Sequence, residues 1–272
     1  MQRALHTVTW MPIKPTFSAS KVAALVNLNP FEKVFDTIYD TMAKHDIPME
    51  TFEVDDRQVN IGEAHLAGKQ VLEKHLSELV QPHITCKTTA SELNLLQQTL
   101  SILGPVGQQA ASFARLRYGQ LQESRVVDVL KSQGNYRKSQ QKTVEFKHFY
   151  LTGKTDGTFD DVIVEIKNRT RRFLGVTDYE RPQFECYMRL FNVNEMYLCE
   201  NFDNEERKIL LFANDELWEL IVKRLTWVAQ FMEEVQQQPY LQQLSKEELE
   251  FQFHRFIAER IIVDIESTFS TK

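Results

Sequence analysis

The sequence predicts an α/β fold in which a mixed β-sheet is flanked by helices. β-branched and aromatic residues are concentrated between residues 142 and 169, and most of the chain before and after this segment is expected to be helical. The resulting order is helices, an antiparallel hairpin, a helix, strands and further helices, with no internal repeat. This order is typical of helices packed against a sheet, so we expect an α/β sandwich.

We divide the chain into three parts that are expected to form one compact unit. Residues 1–108 are predicted to be a mostly helical part packed on the core, 109–212 the core itself, and 213–272 the C-terminal helices. A chain of 272 residues can bury a substantial core and only slightly exceeds the usual size of one domain.

The N-terminal part is expected to begin with a short extended segment and a helix of small residues that breaks at Asn29-Pro30. Apolar residues between Val59 and Leu79 follow helical spacing, and the segment Thr88 to Glu92 has the pattern of a capping box. Gly104-Pro105 interrupts the pattern before a long helix from Ala110 to Leu130.

The sheet is expected to begin with one β-hairpin, formed by TVEFKHFYLTG and TFDDVIVEIKNR with the turn signal Asp156-Gly157 between them. Val162 to Ile166 is a nearly continuous apolar run, which is typical of a central strand buried on both faces. The later elements are predicted as a helix over 181–191, strands over 195–201 and 208–212, and helices over 214–236 and 245–269.

Composition and charge exclude several classes of protein. Hydrophobic residues make up 42% and charged residues 26%, which are ordinary values for a globular chain. No apolar run is long enough to span a membrane and the start lacks a signal-peptide core, so we expect an intracellular protein without a membrane partner. The net charge is −6, yet basic residues concentrate in the central third, which permits a local phosphate-binding face. The three cysteines show no metal or disulfide spacing.

The central strand carries the residues that point to chemistry. Glu165 and Lys167 are two residues apart on a strand, so their side chains emerge on the same face. A buried carboxylate and ammonium are costly to desolvate, and a bound metal or phosphate would offset that cost. Asp156, at the expected turn, can bring a second carboxylate to the same point. Hard oxygen ligands of this kind suit Mg²⁺ or Mn²⁺.

Asp156 followed by Glu165-Ile166-Lys167 resembles the motif of the PD-(D/E)XK nuclease superfamily. Residue 155 is Thr, so the literal Pro-Asp pair is absent. Further motifs resemble the branch that includes lambda exonuclease, YqaJ-like proteins and viral alkaline-type exonucleases. These are Gly119 to Glu123, Gln183 to Tyr187, and the opening Ser18-Ala-Ser20-Lys21 with Asn29-Pro30-Phe31. The segments 36–108 and 213–272 resemble nothing we can name.

The resemblance implies a restriction-endonuclease-like core and a metal-dependent exonuclease that binds one or two Mg²⁺ or Mn²⁺ ions. The metal ligands would be Asp156, Glu165, the Ile166 carbonyl and Glu123. Lys167 would orient the attacking water, and Gln183 and Tyr187 would hold Lys167 and the phosphate in register. The expected substrate is linear double-stranded DNA, degraded 5′ to 3′ during viral or phage recombination, replication or repair, with a single-strand annealing protein as a possible partner.

DNA contacts are expected from basic residues around this site. Arg169, Arg171 and Arg172 directly follow the strand that carries Lys167, and Arg117 lies on the polar face of the long helix. The resemblance adds Ser18, Ser20 and Lys21, which would approach the terminal phosphate of the DNA.

Two other functions fit the same sequence. The first is an endonuclease or an RNA-degrading nuclease of the alkaline type, which would share this core. The second is a non-catalytic DNA-binding module on the same scaffold. The intact set of Asp156, Glu165 and Lys167 favours an enzyme. Oligomeric state is left open.

Overall fold

The computed structural model describes residues 13–45, 47, 74, 75, 78, 80–85, 87–102, 104–203 and 205–270, with side chains as far as residue 263. The helix expected between Val59 and Leu79 lies outside the described residues, except for the helical positions 74, 75 and 78. Within the described part of the chain, no helix is both long and apolar enough to cross a lipid bilayer.

The described part of the chain contains both helices and strands. The helices are α1 (Val22–Leu25), α2 (Val34–Lys44), α3 (Ala90–Ser101), α4 (Gly104–Gln133), α5 (Arg181–Phe191), α6 (Asp215–Gln237), α7 (Pro239–Gln242) and α8 (Lys246–Ser270). The strands are β1 (Thr16–Ser18), β2 (Tyr136–Lys138), β3 (Lys142–Glu145), β4 (Tyr150–Gly153), β5 (Gly157–Phe159), β6 (Val162–Asn168), β7 (Glu195–Phe202) and β8 (Glu205–Phe212). The fold is therefore mixed α/β, as predicted.

The helix ends follow the local signals of the sequence. Thr89 and Glu92 form the expected capping box at the start of α3, and Asn214 caps α6 by accepting a hydrogen bond from the Leu217 N–H. The start predicted for α4 is wrong by about two turns: the helix begins at Gly104, not near Ala110. Pro105 lies in the first turn, where a missing N–H breaks no helical hydrogen bond.

The described strands form two sheets. The smaller has the order β1-β4-β3, with β1 parallel and β3 antiparallel to the central strand. The larger has the order β2-β5-β6-β7-β8, in which β6 and β7 are parallel and the other neighbours antiparallel. The mixed sheet and the central position of β6 confirm the prediction. Helix α5 makes the crossover from β6 to β7, as a parallel pair requires.

The single predicted hairpin with its turn at Asp156-Gly157 is wrong. β4 and β6 lie in different sheets, and Gly157 is already in β5, paired with Val164. The turn of the β5-β6 hairpin is Asp160-Asp161, both with positive φ (49° and 67°). Two left-handed residues in a two-residue loop match the twist of the flanking strands, and Asp tolerates this conformation better than most residues. Asp156 therefore lies on the link between the two sheets.

The two faces of β6 pack against different helices. Ile163 belongs to the main core with α1, α5 and α6, whereas Val164 and Ile166 pack with Val126 and Leu130 of α4. Because side chains alternate along a strand, Glu165 and Lys167 share the face of Ile163, toward α5.

The boundaries predicted from the sequence differ in how they relate to the elements. Residue 212 is the last residue of β8, whereas residue 108 lies inside helix α4.

Candidate active site

Strand β6 brings Glu165 and Lys167 together on the face covered by α5. The Lys167 Nζ atom lies 3.0 Å from Glu165 Oε1 and donates a hydrogen bond to it. Glu165 is buried, with 6% of its surface exposed, and Lys167 is half-buried. The strand spacing predicted this shared face, and the geometry confirms it.

Helix α5 contributes Gln183 and Tyr187 to the same cluster. They are four residues apart, so both side chains lie on one face of the helix. Gln183 Nε2 donates to the Tyr187 hydroxyl at 2.7 Å and lies 3.4 Å from Glu165 Oε1. Gln183 Oε1 lies 3.5 Å from Lys167 Nζ. One amide side chain therefore links the lysine, the glutamate and the tyrosine.

Asp156 is held against β6 by backbone contacts. Its Oδ2 atom accepts a hydrogen bond of 2.6 Å from the Ile166 N–H, and its own carbonyl accepts one of 2.8 Å from the Tyr136 hydroxyl. A Cβ atom added at Gly157 would lie 2.5 Å from the Tyr136 ring, so only glycine lets that ring pack so closely. Asp156 thus reaches the strand residue that separates Glu165 from Lys167.

Burial dominates the electrostatics of the two carboxyl groups. It raises the pKa of Asp156 to about 6, although the Ile166 N–H opposes the rise. Burial also raises the pKa of Glu165 to about 7, against the opposing effect of the Lys167 ammonium. Asp156 and Glu123 each raise the pKa of Glu165 further. The Lys167 ammonium lowers both pKa values and the Lys154 ammonium lowers that of Asp156, but neither offsets the effect of burial.

One oxygen of this cluster has no partner. Glu165 Oε2 is buried and makes no hydrogen bond, which is costly unless a cation or a donor binds there. A divalent cation beside it would also favour the ionised form of both carboxyl groups, and the oxygen donors suit a hard ion. Among the described residues, no three His, Cys, Asp or Glu side chains group closely enough to form a metal site by themselves. The Ile166 carbonyl and water would have to complete the ligand set of Asp156 and Glu165.

Glu123 stands apart from this cluster. Glu123 is exposed on α4 and acts on the carboxyl groups of the site through its charge. Its negative charge raises the pKa of Asp156, although burial and the hydrogen bond from the Ile166 N–H have larger effects. The third predicted carboxylate therefore acts on the site through its charge and makes no hydrogen bond to the other two in the described structure.

The role predicted for Arg169 needs correction. Its side chain is buried and binds Glu180 and Glu200, each at 2.7 Å, so its guanidinium does not face DNA. These contacts tie the loop after β6 to α5 and to β7. Arg171 and Arg172 on the same loop are exposed and remain available to a phosphate backbone.

The other predicted DNA contacts lie on two segments. Ser18 and Ser20 hydroxyls are 2.9 Å apart, and the exposed Lys21 pairs with Glu32 at 2.9 Å. Arg117 on α4 is half-buried, and its Nε atom is buried without a hydrogen-bond partner. Their side chains make no direct hydrogen bond or ion pair with Glu165 or Lys167 in the described structure.

Two supporting groups carried no sequence signal. Tyr136 positions Asp156 only because β2 pairs with β5, which places the ring over Gly157. Glu200 accepts from Arg169 and from the Gly175 N–H, although it looks like an ordinary strand residue in the sequence. Pairing between distant strands creates both contacts.

The fold and the site together define a mixed α/β protein in which a buried Glu and a half-buried Asp and Lys lie beside a helix that carries Gln and Tyr. No family model matches the sequence, and no curated protein matches it. One solved structure that matches part of this chain is described as "Crystal structure of SSO0001". The two chains are 16% identical, the match covers 58% of this chain and 84% of the other, and the TM-score is 0.36.

Proposed function

We propose that this protein is a metal-dependent nuclease with a PD-(D/E)XK core that hydrolyses phosphodiester bonds in DNA. The observation that carries the proposal is the buried Glu165, whose Oε2 has no partner while its Oε1 binds Lys167. The resemblance of the motifs favours a 5′ to 3′ exonuclease on linear duplex ends, in viral or phage recombination, replication or repair, with a single-strand annealing protein as a candidate partner.

The arrangement around β6 supports this proposal. The β5-β6 hairpin, the central strand and the α5 crossover bring Asp156, Glu165, Lys167, Gln183 and Tyr187 together although 31 residues separate the first from the last. Charged groups are seldom buried without a partner or a metal ion. The cluster is therefore better explained by a reaction than by folding.

Each side chain has a distinct role in the proposed reaction. Asp156, Glu165 and the Ile166 carbonyl would hold Mg²⁺ or Mn²⁺, which when bound polarises the scissile phosphate and lowers the pKa of a water molecule. The Lys167 ammonium would position that water and stabilise negative charge developing on the phosphate oxygens. Gln183 keeps Lys167 in place through its amide oxygen, and Tyr187 fixes the orientation of that amide.

The test is cleavage of end-labelled linear duplex DNA, supercoiled circular DNA and RNA, each with and without Mg²⁺. We expect degradation of the linear duplex that requires the metal. Glu165→Gln and Lys167→Ala should each reduce the rate at least about 100-fold, since each removes an electrostatic group that acts on the transition state. Glu195→Gln, at an exposed position of β7 in the same sheet, serves as the matched control and should cleave normally.

The substrates separate the alternatives. Nicking of the supercoiled circle would show an endonuclease, and preferential loss of RNA would show an RNA-degrading enzyme. If folded Lys167→Ala and Glu165→Gln proteins match the wild type in every assay, the proposal of catalysis at this site is wrong. DNA binding without cleavage would then indicate a non-catalytic module.

A further inference from the structure

A pair of aromatic side chains, the exposed Phe31 and the half-buried Tyr179, joins the loop between α1 and α2 to the loop between β6 and α5. Phe31 has 78% of its surface exposed, and its ring centroid is 5.4 Å from that of Tyr179 at an interplanar angle of 85°. A single exposed apolar side chain is ordinary on a protein surface. Here, however, the loop between α1 and α2 presents a nearly bare phenyl ring against a second ring from the loop that follows β6.

Tyr179 is connected to the site through its own loop. It precedes Glu180, whose carboxylate binds Arg169 at 2.7 Å, and Arg169 is two residues beyond Lys167. Tyr179 is also four residues before Gln183, just ahead of the N-terminal end of α5. The aromatic pair is therefore tied to the end of β6 and to the start of the helix that carries Gln183.

Phe31 is connected to the site through the N-terminal segment. Its neighbour Glu32 pairs with Lys21 at 2.9 Å. Two residues before Lys21, Ala19 lies beside Gly153, where an added Cβ would be 3.1 Å from Ala19 Cβ and 3.0 Å from the Tyr187 ring. The N-terminal segment therefore packs beside Tyr187 of α5, and Phe31 contacts the loop just ahead of the same helix through Tyr179.

We propose that Phe31 and Tyr179 form a stacking site for a nucleobase of a single-stranded segment of the substrate, close to the bond that is cleaved. This inference rests on the proposed function and adds how the strand is held. Every base has an apolar face that stacks on aromatic rings, so such a site tolerates any sequence. The exposed cations Arg171 and Arg172 lie on the same loop as Tyr179 and suit the phosphates on either side of the stacked base.

The experiment is a binding titration with a fluorescein-labelled single-stranded oligonucleotide in EDTA, so that binding is read without cleavage. Phe31→Ala should weaken binding about 5- to 150-fold, as expected for the loss of one base–aromatic stack, and Phe31→Trp should bind like the wild type. Phe251→Ala, which removes a phenyl ring that is 68% exposed on α8, is the matched control and should have no effect. Because Phe31 is exposed, the variants should keep the wild-type thermal midpoint.

Abasic oligonucleotides identify stacking as the cause. A series of probes, each lacking one base, should contain a position at which Phe31→Ala no longer weakens binding, because the base that it contacted is gone. Binding by Phe31→Ala equal to the wild type would overturn the inference, and so would an equal loss on every abasic probe. If Phe31 instead contacts a protein partner, Phe31→Ala should bind the oligonucleotide as tightly as the wild type.

Parallel cleavage assays keep the inference and the proposed function apart. If the wild type cleaves DNA but its binding does not depend on Phe31, the nuclease proposal is supported and the stacking site is contradicted. If binding depends on Phe31 but no cleavage occurs, the stacking site is supported and the nuclease proposal is contradicted. A wild-type protein that neither binds nor cleaves any nucleic acid would overturn both.

Discussion

Folding removes the carboxyl groups of Glu165 and Asp156 from water, which makes their ionised forms less favourable. Burial raises both pKa values, to about 7 and about 6, although Lys167 stands beside Glu165 and the Ile166 N–H binds Asp156. In the absence of a divalent cation, these groups therefore keep their protons to a higher pH in the folded protein than in the unfolded chain.

The stability of the metal-free protein should consequently fall as the pH rises. Between the unfolded values near 4 and the folded values near 6 and 7, the folded state holds more protons than the unfolded state. The stabilisation is complete below about pH 4 and is lost as the pH passes about 7. Thermal midpoints measured in EDTA should therefore decrease over this window.

Glu165→Gln tests the origin of this pH dependence. The variant cannot ionise at position 165, so its thermal midpoint should change less near pH 7, with the remaining slope at lower pH due to Asp156. Glu195→Gln should follow the wild type. Parallel curves for the wild type and Glu165→Gln would show that Glu165 does not titrate as its burial predicts.

Tyr136 is predicted to act as a positioning residue for Asp156. Tyr136→Phe removes the hydrogen bond to the Asp156 carbonyl and keeps the ring over Gly157. A net loss of about 1 kcal/mol for one hydrogen bond corresponds to roughly a fivefold lower cleavage rate at limiting Mg²⁺. The measurement is the Mg²⁺ concentration at half-maximal rate, which should rise while the thermal midpoint changes little. An unchanged metal requirement would contradict this role.

At the scale of elements, the loop between β6 and α5 is held by buried ion pairs. Arg169 binds Glu180 ahead of α5 and Glu200 on β7, and Glu200 also accepts hydrogen bonds from the Leu174 and Gly175 N–H groups. The arginine therefore connects three elements. The ion pairs that keep the Arg169 side chain buried also hold the loop that carries the exposed Arg171 and Arg172.

Arg169→Ala should be strongly destabilising because it removes the buried cation that binds two buried carboxylates, Glu180 and Glu200. We expect the free energy of unfolding in urea to drop by about 3 to 5 kcal/mol. Arg172→Ala, three residues along the same loop and exposed, should change it by less than about 0.5 kcal/mol. If both substitutions lower the free energy of unfolding equally, the buried ion pairs of Arg169 do not stabilise the protein more than an exposed arginine does.

At the scale of the whole molecule, an acidic protein is proposed to act on a polyanion. The net charge of −6 repels DNA at long range, so binding has to depend on a local group of cations. Each Lys or Arg that contacts a phosphate adds about one unit to the slope of log affinity against log salt concentration. Arg171 and Arg172 are the exposed cations nearest to the Lys167 strand along the chain.

Replacing both arginines with alanine should reduce the magnitude of this slope by about two. The measurement is duplex DNA binding in EDTA over a series of salt concentrations. Arg255→Ala, which removes an exposed cation on α8, provides the control and should leave the slope unchanged. A slope equal to that of the wild type in the double variant would exclude this loop from the DNA interface.

Much of the fold and of the site could be predicted because it depends on local periodicity. A spacing of two on a strand put Glu165 and Lys167 on one face, and a spacing of four on a helix aligned Gln183 with Tyr187. Caps at Thr89 and Asn214 marked where helices begin. Each of these signals acts within one turn or one strand, so neighbouring residues contain all the information needed.

Other features depend on which distant segments pair, and the periodicity of the sequence does not predict this pairing. The separation of β4 from β6 into two sheets moved the hairpin turn from Asp156-Gly157 to Asp160-Asp161. Strand pairing of β2 with β5 placed Tyr136 over Gly157, and the β6-β7 pairing surrounded Arg169 with carboxylates. A charged side chain in a sequence looks the same whether it will face solvent or a buried partner.

The sequence by itself therefore determined the mixed α/β class, the central strand and the shared face of Glu165 and Lys167, because these follow from side-chain type and spacing. Tertiary structure decided which of the charged residues are buried together, which arginine supports the fold and which remain free to bind a phosphate backbone. The physical reason is that desolvation and ion pairing depend on contacts between segments far apart in the chain, and these contacts exist only after the strands have paired.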